Sequence, residues 1–198
     1  MPGPSKQFDA ETALAEGMTL FWQRGYADVS MSDLLTSMRI GRQSFYNTSG
    51  SKAALFDRVI DRYVRDHQRP LLECLTNAES PNRGILQFLK RWQRAAEERP
   101  NHGCLLVNCI DDYAALEEQS ATQIQEAIHH FEQTLLDAIK ASIRAEEIHP
   151  TVSAFKLATI LVALGNGLML RSRESSSRTP PGLLVTTYQS LAGPVVDS

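Results

Sequence analysis

Between residues 29 and 52, in the run VSMSDLLTSMRIGRQSFYNTSGSK, helical spacing starts, stalls and restarts twice. Met31, Leu34, Leu35 and Met38 recur at intervals that put them on one face of a helix. Ser30 followed three residues later by Asp33 has the form of a capping box, with Asp in place of the usual Glu or Gln. The periodicity stalls at Arg39-Ile40-Gly41; a second short helix is predicted from Arg42 to Asn47, and a third opens at Ser51. The middle helix exposes Arg42, Gln43, Ser44, Tyr46 and Asn47 around a single apolar anchor, Phe45. Arg, Gln and Asn side chains pair bidentately with base edges, whereas Ser, Tyr and Lys suit phosphate oxygens. A helix made almost wholly of such groups is costly to explain as packing. It reads as a recognition helix, against the blander reading of a polar surface helix in an unrelated α-bundle.

These residues also carry a resemblance. The pieces are Leu34-Leu35, Ile40-Gly41-Arg42-Gln43-Ser44-Phe45-Tyr46-Asn47 and Gly50-Ser51-Lys52-Ala53-Ala54-Leu55-Phe56. Phe21-Trp22-Gln23-Arg24-Gly25-Tyr26 and Val29-Ser30-Met31 precede them at matching spacing. Together they resemble the tetracycline-repressor (TetR) family of bacterial transcriptional regulators, over roughly the first third of the chain. Two positions depart from the family pattern. Arg39 stands where a turn glycine is usual, and a non-Gly residue at positive φ is strained. Ser49 stands where an aromatic is usual, which should loosen the packing of the second helix on the third. Neither departure removes a DNA-facing group.

The sum of charges does not announce a nucleic-acid binder, since the 198 residues carry a formal net −3. Its distribution does more. From Arg39 to Arg69 seven basic residues stand against three acidic ones, a local +4 that leaves −7 on the remainder. A basic segment on an acidic body is the footprint of a DNA-binding end and a separate regulatory end; Asp57, Asp61 and Arg65 paired along a solvated helix face are the bland alternative. Cys74, Cys104 and Cys109 do not make a disulfide framework. No charged stretch followed by an apolar run opens the chain. The most apolar stretch, 157–170, is short for a bilayer and is interrupted by Thr159, Asn166 and two glycines. A cytoplasmic protein with no membrane partner is expected.

The predicted fold class is all-α. Residues 1–8 form a polar arm, Asp9 caps a first helix ending before Gly25, and the three-helix DNA-binding unit occupies 8–50 with a core of Leu14, Met18, Phe21, Leu34, Leu35, Ile40 and Phe45. A connector helix covers 51–68, with Leu55, Phe56, Val59, Ile60 and Tyr63 on its apolar stripe and Pro70 as a break beyond its end. Lys52 in its first turn opposes the helix dipole, so another benefit must hold it there. Residues 69–198 form a helical regulatory and dimerisation body. Helices are predicted at about 80–99, 119–146, 152–171 and 182–191, with a break at 100–103, a short apolar stretch at 104–110 and a loop at 173–181. The helix at 152–171 is apolar nearly all round, so it should be buried on more than one side. Gly165 and Gly167, beside Ala163 and Leu168, permit close helix approach.

The family resemblance implies more. It places Lys52 on a DNA phosphate and implies a homodimer through the helices at about 119–146 and 152–171, paired as a four-helix bundle. It also implies a small-molecule pocket inside the C-terminal body, whose occupation changes the spacing of the two DNA units. Candidate lining residues are Trp92, Leu105, Leu106, Asn108, Tyr113, Phe131 and Phe155, each of which is equally readable as core. Arg42 and Gln43 are the base-reading candidates and Tyr46 and Lys52 the phosphate holders, with Ser30, Ser32, Ser44 and Asn47 as weaker positioning groups. The partners are then double-stranded operator DNA, a second copy of the chain and an unidentified inducer; no cofactor is called for.

Two other readings compete with this one. A thiol- or metal-responsive switch could use Cys104 and Cys109, with His102, Cys74 and His67 near in sequence or in fold. Their spacing matches no zinc pattern, and buried small apolar side chains explain the cysteines better. An α-helical enzyme lacks support, since no G-x-S-x-G, Walker, dinucleotide-binding or H-E-x-x-H pattern occurs. Asp111-Asp112 and Glu117-Glu118 fit solvated helix ends better than catalytic pairs.

Overall fold

The structure is a computed structural model that describes residues 10–98, 102–174 and 179–193. The predicted arm at 1–8, the Asp9 cap, Pro100-Asn101 and part of the loop at 173–181 lie outside the described residues. Every regular element among the described residues is helical. In order they are α1 (Ala10–Arg24), α2 (Met31–Met38), α3 (Arg42–Ser49), α4 (Lys52–Tyr63), a π-helical turn (Val64–Gln68), α5 (Arg69–Thr76), α6 (Pro81–Glu98), α7 (Leu105–Asn108), a 3₁₀ turn (Tyr113–Ala115), α8 (Glu118–Arg144), α9 (Ala154–Arg171) and α10 (Leu183–Ala192).

Local chemistry sets the boundaries. Gly25 ends α1 at φ 81, donating its N–H to Phe21 O at 2.8 Å. The capping box at α2 is complete: Ser30 Oγ accepts from Asp33 N–H, and the Asp33 carboxylate accepts from Ser30 N–H. Arg39 closes α2 in the left-handed region, at φ 57 and ψ 40, with its N–H on the carbonyls of Leu35 and Thr36. Ser51 and Ser153 cap α4 and α9 by the same hydroxyl-to-N–H device.

Pro70 does not break the chain as expected. The connector runs on from α4 into α5, because the π-helical turn shifts the hydrogen-bond register: Arg69 N–H reaches Val64 O, five residues back. That register change falls where the missing N–H and the ring of Pro70 would otherwise break an α-helix.

The apolar faces form two cores. The first holds Phe21, Trp22, Tyr26, Leu34, Phe45, Leu55 and Phe56, and it also takes in Leu105, Leu106 and Cys109 from α7 and its flank, and Ile124 and Ala127 from α8. Leu35 and Ile40, expected as core, are only partly buried against it. The second core gathers Ile85, Phe88, Leu89 and Trp92 of α6 with Leu135 and Ile139 of α8, Leu161 of α9, and Leu184 and Tyr188 of α10.

By length and apolarity α9 could cross a membrane, although its most apolar stretch alone is too short to do so; about a third of the helix is buried here, on α6, α8 and α10. Leu157, Leu161, Val162, Gly165 and Leu168 face inward, while Phe155, Ile160 and Leu170 stay exposed. One chain therefore covers only one side of a helix that is apolar on both.

Candidate nucleic-acid interface and the cavity behind it

On α3, Arg42, Gln43, Ser44, Tyr46 and Asn47 are all exposed, and Phe45 is fully buried. The Tyr46 ring stands edge-on to Phe45, with centroids 5.6 Å apart. Gln43 Nε2 donates to Asn47 Oδ1 at 3.0 Å, one helical turn on, so the two amides hold each other until something else is offered. Ser32 is exposed on α2. Ser30 is differently placed from its expected role: its hydroxyl donates to Asp33 Oδ2 at 2.6 Å and accepts Asp33 N–H at 3.1 Å. The bonds to the Asp33 carboxylate from the Ser30 hydroxyl and then the Ser30 N–H, with Arg24 adding to them, hold it below the usual carboxylate range. A hydroxyl whose proton is committed to the cap has none for a phosphate.

Lys52 sits with Nζ 4.2 Å from the centre of the Tyr26 ring, a cation–π contact that supplies the benefit its place in the helix calls for. Partial burial lowers its pKa against the opposing pull of Asp112 and Asp28. The basic segment is less free than its sum implies. Arg62 pairs with Glu11 and Asp66, Arg65 pairs with Asp66, and Arg58 Nη1 donates to Thr48 O. Arg39 and Arg42 are exposed beside the recognition surface.

Where α1 ends, the DNA-facing unit is fastened to the body by a cluster of polar contacts. Trp22 Nε1 donates to Gly103 O at 3.0 Å. Asn108 Nδ2 donates to His102 O at 2.7 Å and Trp22 O at 3.3 Å. Asp112 Oδ2 accepts the N–H of Tyr26 at 2.6 Å and of Ala27 at 3.3 Å. The expected solvated helix-end carboxylate at Asp112 is half-buried instead, because the tight turn after Gly25 turns two backbone donors toward it.

Behind this cluster lies a narrow cavity of about 70 Å³. Trp92, Leu106 and Phe131 line it, as expected. The other expected residues lie elsewhere. Leu105 is fully buried in the first core, and Asn108, outside the lining, gives its Nδ2 to the Trp22 and His102 carbonyls while its Oδ1 is buried without a partner. Tyr113 packs against the first core, and Phe155 is 70% exposed at the start of α9. Residues not anticipated make up the opposite wall: Trp22 from α1, Tyr63 from α4, His67 and Gln68 from the π-helical turn, and Cys104, with Asn166 on α9. Helical spacing sets Trp22 only beside the core residue Phe21, and nothing in the sequence marks the π-helical turn.

Three details shape the cavity. Gln68 is buried, its Nε2 donates to Ala127 O at 2.9 Å, and its Oε1 has no partner. Gly165 lies against Trp92, so closely that a Cβ there would stand 2.2 Å from the indole ring. Tyr63 Oη donates to Cys104 Sγ at 3.4 Å. Cys109, by contrast, is fully buried, and burial followed by the nearby Asp112 pushes its thiol up to about 12. Among the described residues no three His, Cys, Asp or Glu side chains converge as metal ligands would.

On the far side of the body, Phe155, Ile160, Ala163, Gly167 and Leu170 form the exposed face of α9, and a groove between α8 and α9 runs past Gln133, Leu136, Thr159 and Ala163. Gly167 opens to nothing within 4 Å. The two glycines thus differ: Gly165 serves the interior, and only Gly167 faces outward.

Comparison with known proteins agrees with this architecture. The chain is 27% identical over 177 residues, 89% of its length and 85% of the relative's, to the HTH-type transcriptional repressor BdcR of Escherichia coli (strain K12). The crystal structure of E. coli NemR in its reduced form superposes with a TM-score of 0.77 at 22% identity, covering 94% of this chain and 98% of that one. A cysteine mutant of the TetR family transcriptional regulator CifR, complexed with 26bp double-strand operator DNA, superposes with a TM-score of 0.72 at 25% identity, covering 95% and 97%. Residues 13–59 match the family described as bacterial regulatory proteins, tetR family, and residues 81–187 match the tetracyclin repressor-like C-terminal domain. With the polar face of α3 at one end, an all-helical body at the other and both halves matched, the chain belongs to the TetR family of bacterial transcriptional regulators.

Proposed function

We propose that this regulator is a cytoplasmic repressor that binds a palindromic operator as a homodimer and releases it when a small molecule enters the cavity. The surface of α3 carries the reading: five polar side chains displayed around one buried Phe45, with Arg39 exposed next to them. Arg42 and Gln43, at the end of α3 that enters the major groove, read bases. Tyr46 and Lys52 hold phosphates, and Ser32, Ser44 and Asn47 position the helix. The amide pair Gln43–Asn47 must part for Gln43 to read an adenine, so specificity there depends on the base offering a better partner than Asn47.

The exposed apolar face of α9 and the groove beside α8 support a homodimer through these two helices. Two copies so joined present their recognition helices to successive major grooves, about 34 Å apart. The cavity supports ligand control, since its walls belong partly to α1 and the connector and partly to the body. A ligand that fits one spacing of the DNA units better than the other shifts the population toward it. A thiol-responsive variant of the same mechanism keeps one specific observation, that Cys104 lines this cavity whereas Cys109 is sealed in the core.

Fluorescence anisotropy on DNA from upstream of the protein's own gene tests the reading, over a salt series and beside Tyr46→Ala. Competitor-resistant binding that weakens steeply with salt and is lost in the variant is expected. Failure to select any site from random DNA would sink it.

A further inference from the structure

Resting on the reading of the cavity as the effector site, we propose the chemical class of its ligand: a single-ring aromatic compound that donates one hydrogen bond to the Gln68 carbonyl and carries no negative charge. The donor follows from Gln68. Gln68 is 7% exposed, and its amide orientation is fixed by the bond from Nε2 to Ala127 O, because only the NH₂ end of the amide can pair with a carbonyl. Gln68 lines the cavity, and its carbonyl end is buried with no partner. A buried acceptor without a donor is a standing cost that a ligand hydroxyl or N–H removes.

The ring follows from the walls. Trp22, Tyr63, Trp92 and Phe131 supply aromatic faces and edges, with Trp22 and Tyr63 centroids 4.9 Å apart on one side and Trp92 and Phe131 centroids 4.9 Å apart on the other. The size follows from the space: about 70 Å³ is roughly half of the ~150 Å³ that holds a benzene ring, so one ring is the upper limit and the walls must give to admit it. The exclusion of anions follows from Glu132, which shares the lining with Gln68. A carboxylate placed here would meet an acceptor and a second carboxylate.

The placement of Gln68 also gives the ligand its purchase on the DNA unit. Gln68 ends the π-helical turn that continues α4, and Trp22 of α1 lines the same cavity. Trp92 cannot retreat to make room, since its ring already lies against the backbone at Gly165. Space for a bound ring must therefore come from the Trp22 side, and α1 moves with it.

The chain has two tryptophans, Trp22 and Trp92, and both line the cavity, so intrinsic fluorescence reports this site and no other. The experiment titrates the full-length protein with phenol, toluene and benzoate, and repeats the titrations with Gln68→Met. Phenol is expected to quench at concentrations at least tenfold below toluene, and benzoate not at all. In Gln68→Met the phenol preference disappears while toluene binding is kept. Equal binding of phenol and toluene to the unaltered protein, binding of benzoate, survival of the preference in the variant, or no quenching by phenol would each overturn the proposal. The phenol-to-toluene comparison needs no variant, so it stands even if Gln68→Met fails to fold. Anisotropy on operator DNA separates this from the release mechanism. Gln68-dependent phenol binding that leaves DNA bound supports the ligand class and overturns ligand release; equal binding and equal release by phenol and toluene does the reverse.

Discussion

Arg39 holds a left-handed conformation that glycine adopts without cost, at φ 57 and ψ 40, to close α2. Arg39→Gly relieves that strain but adds freedom to the unfolded chain, and the two effects offset in part. A net gain of about 0.5 kcal/mol is expected, visible as a rise of about 1–2 °C in the thermal midpoint; a lower midpoint would show that the Arg39 side chain makes up the difference. Such strain is legible in sequence, because a turn position that prefers glycine can be recognised without knowing what surrounds it. Cys109 is the opposite case. That it is buried is expected of a cysteine in a short apolar stretch, but which core it joins depends on tertiary packing and could not be read from spacing. The folded thiol titrates near 12 against an ordinary value of 9.0, so both states keep the proton below pH 9 and only the unfolded chain loses it between 9 and 12. Stability should therefore fall across that window by up to about 1.4 kcal/mol per pH unit from this group. Urea unfolding at several alkaline pH values should show a shallower decline in Cys109→Ala; an unchanged slope would assign the loss to other groups, such as Tyr188, whose phenol burial also pushes up to about 12.

Among the elements, α9 shows where periodicity stops being informative. Its sequence announces apolar residues all round but not which face meets the chain's own core. Gly165 and Gly167 look in sequence like one close-approach motif, yet residues two apart on a helix point roughly 200° away from each other. One glycine must face in and the other out, and only packing shows that Trp92 takes the first. The two therefore respond in opposite directions to the same change. Gly165→Ala forces a methyl into the Trp92 ring, pushes the indole toward the cavity and should cost about 1–3 kcal/mol with a shift in tryptophan emission. Gly167→Ala meets nothing within 4 Å in one chain and should raise helix stability by about 0.5–1 kcal/mol. In the proposed dimer the same methyl sits at the contact, so sedimentation should show weaker association. Equal thermal shifts in the two variants would contradict the packing described. The π-helical turn is hidden for a related reason: Pro70 is a helix breaker by rule, and only the backbone register of the connector shows how it is accommodated.

For the whole molecule, the polar face of α3 is legible because it is defined by what it does not bury, whereas the division of the chain is only half legible. A sequence-based boundary at residues 50 and 68 separates a DNA unit, a connector and a body. The first core ignores it, since Phe21, Tyr26 and Phe56 share their contacts with Leu105, Leu106 and Cys109 around α7 and with Ile124 of α8. Side chains from beyond residue 100 are thus part of the floor on which α1 and α4 rest, and Asp112 holds the turn between α1 and α2 from the same side. A fragment ending after α5, at Thr76, loses that floor and leaves those apolar faces in water. It should retain some helix but unfold gradually, without the sharp transition expected of the intact chain, because a small unit that cannot bury its apolar surface cannot offset its chain entropy. Circular dichroism on heating checks this. A sharp transition in the fragment would mean that the DNA unit is autonomous and that the body merely adjoins it. The gradual outcome carries a functional consequence: a recognition unit that depends on the body for part of its core cannot stay still when the body rearranges, so displacement at the cavity wall reaches α3 through packed side chains rather than through a flexible link.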